Sequence, residues 1–139
     1  MPARYRLIVY LVIGGLWLTG CAWLLLDTVF ARRGPFGKTP HPLEPPLLLL
    51  HALTAILSMY LLGWLSAGHM VRWWRRGLRR QSGAVLATLF ASLAISGFSL
   101  FFLVDDAWQH AAASVHDWLG VAVTVFAIQH WFVRERYGR

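Results

Sequence analysis

A chain of 139 residues that is 58% hydrophobic and 14% charged is long enough for one domain and too apolar for the ordinary soluble class. Its formal charge of +7 would suit a nucleic acid if the basic residues lined a soluble face, but they flank apolar stretches, so lipid headgroups are the expected partner and nucleic acid is not. A single cysteine excludes an intrachain disulfide.

Four stretches reach the roughly 20 apolar residues that a membrane-spanning helix needs, and they are expected as helices at about 7–30, 47–70, 83–104 and 111–133. Within the first, Leu18-Thr19-Gly20-Cys21 has the form of a bacterial lipoprotein signal, which would remove the helix and acylate Cys21. The run Ala22-Trp23-Leu24-Leu25-Leu26 continues apolar where a processed lipoprotein turns polar, and favours an uncleaved span. The loop from Arg32 to Pro46 carries five prolines and two glycines and is expected to run extended. Pro45-Pro46 sets the start of the second helix, with His51 about one turn inside. Val71 to Ser82, with Trp73, Trp74 and five arginines, reads as a segment on the inner membrane surface. The third helix has no histidine but is rich in small residues, among them Ala87, Ala91, Ala94, Ser96 and Gly97, which admit a close neighbouring backbone or a flat ligand. No internal repeat is clear, although histidine-bearing helices alternate with histidine-free ones.

Arginines cluster before the first helix, in the second connection and in the tail, whereas the other two loops hold most of the acidic residues. Short cytoplasmic loops carry the excess of Lys and Arg, so both termini are expected in the cytoplasm. The expected fold is all-α: a four-helix transmembrane bundle, N-in/C-in, forming one integral membrane domain over 1–139.

Four histidines interrupt the apolar stretches. His51 and His69 are eighteen residues apart, five turns at about 100° per residue, and His116 and His130 are fourteen apart, about 40° short of four turns. Each pair therefore keeps one face of its helix. Ionisable residues in a span are costly and face the bundle interior, so two such stripes read as a ligand set, with haem, bound twice, as the natural occupant. Helices two and four run in the same direction if every segment spans. That pairs His51 with His116 toward the outer side and His69 with His130 toward the cytoplasm. Without a Cys-x-x-Cys-His motif the haem would be noncovalent, b-type.

The unequal spacings weaken His51 most; capping of its helix or contact with the outer loop is the other reading of that residue. Gly120, four after His116, keeps a low face for a macrocycle, and Arg72 and Arg134 could reach the carboxylates of an inner haem, although positive-inside topology alone would also place them there. His41 in the proline-rich loop and His110 before the fourth helix are expected in solvent. Met59 and Met70 are expected to pack rather than ligate.

Together these features resemble the bacterial di-haem, four-helix cytochrome b group of inner-membrane proteins, related in plan to the membrane subunits of formate dehydrogenases and hydrogenases. The likeness rests on His41-Pro42-Leu43-Glu44 before Leu47-Leu-Leu-Leu-His51, Gly68-His69 with Trp73 following, Ser96-Gly97-Phe98-Ser99-Leu100-Phe101-Phe102, and His116-Asp-Trp-Leu-Gly120 leading to His130. The eighteen-residue spacing departs from the fourteen familiar in such bundles and leaves the outer haem the less secure. The resemblance implies axial ligation by His51, His69, His116 and His130 and a bacterial inner-membrane electron relay between a quinone or redox partner and another carrier. Such a chain would be a subunit of a membrane oxidoreductase rather than a stand-alone enzyme, with its oligomeric state open. No acid, base or nucleophile constellation points to catalysis, and a quinone site near Trp73, Trp74 and Arg75 has little support. The rivals are a haem-free scaffold anchoring a larger complex and a small proton-relaying transporter; the latter would call for acidic residues inside the spans.

Overall fold

The computed structural model describes residues 3–34, 37–71 and 80–136. Helix α1 is Ala3–Leu25 and runs into a π-helical turn, Leu26–Phe30. Strands β1, Arg32–Gly34, and β2, Gly37–Thr39, form an antiparallel hairpin. Helix α2, Glu44–Leu65, passes into a second π-helical turn, Ser66–Met70. Helices α3, Arg80–Ser99, and α4, Asp106–Arg136, complete the order. Among the described residues, four helices are long and apolar enough to cross a membrane, which makes the chain a multi-pass membrane protein by helix length and hydropathy.

The chain divides into two compact units, Met1–Leu65 and Ser66–Arg139. The first pairs α1 with α2, and the second pairs α3 with α4. Among the described residues only Thr19, Glu44, Ser58 and Val123 are buried, and most large apolar side chains of the helices point outward. A soluble domain could not tolerate that surface; in hydrocarbon it costs nothing, and helix pairs are held instead by small residues and interhelical hydrogen bonds. Ser and Thr inside these helices return their hydroxyl protons to carbonyls one turn back, as Thr54 does to Leu50 (3.0 Å), Ser58 to Thr54 (2.8 Å) and Thr124 to Gly120 (2.8 Å).

The proline-rich loop is more ordered than expected. Its first part pairs Arg32 with Thr39, Arg33 with Lys38 and Gly34 with Gly37, and Gly37 takes φ 106°, a left-handed conformation that suits glycine. The second helix begins at Glu44, ahead of the two prolines, so His51 lies about two turns inside it rather than one. The start is capped: the Glu44 carboxylate accepts the His41 amide at 2.7 Å, and the Glu44 amide donates to the His41 carbonyl at 2.9 Å. His41, expected in solvent, is therefore partly buried in this turn, where its Nδ1 also accepts the Leu43 amide at 3.2 Å.

The fourth helix likewise starts early. Asp105 caps it, its carboxylate accepting the Trp108 amide at 3.1 Å and its carbonyl the Gln109 amide at 2.9 Å. His110 consequently lies inside α4, not before it, and is exposed.

Candidate functional site

In the first unit, His51 of α2 lies against α1. Its Nδ1 is 3.2 Å from the Leu16 carbonyl oxygen and 3.1 Å from Thr19 Oγ1. The Thr19 hydroxyl donates back to its own helix, at 2.8 Å to the Gly15 carbonyl and 3.0 Å to that of Leu16. Both contacts are satisfied by the tautomer with the proton on Nδ1: the Leu16 carbonyl only accepts, and the Thr19 hydroxyl, its own proton given to a carbonyl, accepts as well. The ring rests where residue 20 has no side chain: a Cβ on Gly20 would stand 2.9 Å from His51 Cε1 and 3.3 Å from Nδ1.

The second unit repeats this arrangement. His116 of α4 has Nδ1 3.0 Å from Ser96 Oγ on α3 and a hydrogen bond to the Leu93 carbonyl, while the Ser96 hydroxyl donates to Leu93 at 3.0 Å. A Cβ on Gly97 would meet His116 Cε1 at 2.9 Å and Nδ1 at 3.3 Å, the same distances as in the first unit. Leu16, Thr19 and Gly20 map onto Leu93, Ser96 and Gly97 at a constant offset of 77, and His51 onto His116 at an offset of 65. The latter offset also carries buried Ser58 onto buried Val123. The two helical pairs thus repeat one histidine seat.

The repeat separates the remaining histidines. At the offset of 65, His130 corresponds to Leu65 and His69 to Arg134, so these two are not equivalent. Nδ1 of His130 is 3.2 Å from the Ser82 hydroxyl of α3, beside a groove of about 180 Å³ that Gln81, Val85, Phe126 and Gln129 also line. Ser82 corresponds to Tyr5, whose ring instead stacks near Trp64 with centroids 5.4 Å apart. His69 lies on the π-helical turn Ser66–Met70, where each residue advances by less than the α-helical 100°, so its backbone departs from the phase that spacing alone assigned. Its side chain is outside the described set, as is that of Met70.

Other expected site residues fall as follows. Arg72 lies outside the described residues, with Trp73, Trp74 and Arg75; Arg134 lies on α4, its side chain outside the described set. A Cβ on Gly120 would meet nothing within 4 Å among the described residues, so that face of α4 is open within its unit. Met59 is exposed.

Thr19, Gly20, Ser82, Ser96 and Gly97 gain roles as partners of histidines. Thr19 and Gly20, half of the lipoprotein-like pattern, form the seat for His51, and Cys21 is exposed. The available signal was the shared form Leu16-x-x-Thr19-Gly20 and Leu93-x-x-Ser96-Gly97. Neither a protein-family model, nor a curated protein, nor a solved structure matches the chain.

Proposed function

We propose that the chain is a b-type di-haem cytochrome of the bacterial inner membrane, N-in/C-in, relaying electrons between a quinone or redox partner and another carrier. His51, His69, His116 and His130 would hold the two haems. The observation that carries this reading is the Nδ1 anchoring of His51 and His116 to a carbonyl and a hydroxyl, with Ser82 at Nδ1 of His130. Metal-ligating histidines characteristically donate the other ring N–H in this way, which orients the ring and makes the ligating nitrogen more basic. Four imidazoles would suit low-spin haem iron, which would supply a one-electron couple. Arg72 and Arg134 are the cations proposed to pair with haem carboxylates.

The test is a dithionite-reduced minus oxidised spectrum of detergent-purified protein, with pyridine-haemochrome quantification per chain. Two b-type haems are expected. None, after expression with haem supplied, would overturn the reading in favour of a scaffold or anchor subunit.

A further inference from the structure

We infer that Thr19 and Ser96 are matched positioning residues, whose hydroxyls hold the Nδ1–H tautomer of His51 and His116 and raise the basicity of Nε2; their effect on a bound haem rests on the reading above. The argument starts from the geometry of each seat. Leu16 and Leu93 lie within helices, so their carbonyls already accept the helical N–H four residues on and a hydroxyl proton as well. An imidazole N–H sharing such a carbonyl has an incompletely available acceptor. The hydroxyl oxygen supplies the complement, at 3.1 Å in one unit and 3.0 Å in the other. Because its own proton is given to a carbonyl, that oxygen is polarised toward accepting, and the chain His–Thr–carbonyl strengthens along its length.

Two features separate this from ordinary packing. Helix pairing alone would accept valine or alanine at residues 19 and 96, yet both carry a hydroxyl with its oxygen at hydrogen-bond distance from the same ring nitrogen. The adjacent glycines let the ring come that close, since a Cβ there would stand 2.9 Å from Cε1 in both units. Glycine and hydroxyl thus act together: the glycine admits the ring, and the hydroxyl oxygen, as acceptor, favours the proton on Nδ1. A stronger hydrogen bond at Nδ1 puts more electron density on Nε2 and favours the more highly charged, oxidised iron.

The experiment uses Thr19→Val, Ser96→Ala and the double variant, with Thr19→Ser as the conservative control, all as full-length protein in detergent. Nitrogen NMR of histidine-labelled, haem-free protein reads the tautomer directly. His51 and His116 are expected as Nδ1–H in the wild type and in Thr19→Ser, with an Nε2–H population appearing at His51 in Thr19→Val and at His116 in Ser96→Ala. Redox titration of the haem-loaded protein is expected to show a higher midpoint potential in both variants, by about twofold to tenfold in the oxidised-to-reduced ratio, or roughly 18 to 59 mV for one electron. Wild-type tautomers and potential in folded variants would overturn the inference and leave the cytochrome reading standing. A wild-type protein without haem would overturn that reading, and the tautomer measurement would still decide whether the hydroxyls position the rings.

Discussion

The seats make a strong quantitative claim about two glycines of one helix. Gly14 and Gly20 both lie inside α1, so replacing either by alanine changes backbone propensity alike, by about 1 kcal/mol in favour of the helix. At Gly14 the new Cβ meets nothing within 4 Å among the described residues. At Gly20 it meets His51 Cε1 at 2.9 Å, and because carbon pairs settle at about 3.5–4.0 Å, the ring has to withdraw by about 0.6 Å or more. The Nδ1 contacts to Thr19 and Leu16 start at 3.1 and 3.2 Å, so such a retreat carries them past hydrogen-bond range. Overpacking at about 1–3 kcal/mol and a lost hydrogen bond at about 0.5–1.5 kcal/mol give a difference of about 1.5–4.5 kcal/mol between the two variants. Reversible denaturant unfolding of each in the same detergent measures it. Gly97→Ala should cost about as much as Gly20→Ala, because the distances to His116 are the same. Equal stability of Gly14→Ala and Gly20→Ala would refute the reasoning, since no other seat contact distinguishes the two sites.

Other outcomes follow from the same contacts. His130→Ala should remove one of two haems while His110→Ala, at an exposed position on α4, leaves both, as read by pyridine haemochrome. Gly120→Ala should leave the stability of the apo-protein within about 1 kcal/mol, given the open space there, yet lower haem occupancy if a macrocycle lies on that face; unchanged occupancy would remove Gly120 from the site. Glu44→Ala should destabilise the chain by about 1 kcal/mol through loss of the 2.7 Å cap on the His41 amide, and thermal unfolding in detergent should show a lower midpoint.

Much of the architecture was legible from local pattern. Long apolar runs and the polar interruptions between them placed four membrane-length helices, because helix length against bilayer thickness is a property of a single segment. Where expectation and structure part, a local rule met a competing one. Glu44 and Asp105 draw their helices outward by capping amides that apolar periodicity does not register, which shifts His51 inward and brings His110 into α4. At α-helical pitch the eighteen residues from His51 to His69 keep one face, but His69 lies on a π turn, whereas the second pair of histidines lies on a helix with no π turn.

By itself the sequence determined which stretches are long and apolar enough to span and which few polar side chains enter them. It did so because burial in lipid and backbone satisfaction act within a helix. Only the tertiary structure decided which helix each histidine leans on and which ring nitrogen it commits. His51 lies thirty-one residues after Gly20, but His116 only nineteen after Gly97, so no single spacing connects the two seats, and the shared Leu-x-x-Thr/Ser-Gly form does not by itself reveal the pairing with a histidine. It becomes visible once helix pairing sets Thr19 beside His51 and Ser96 beside His116, because a hydrogen bond depends on distance in space and is indifferent to the loop between its partners.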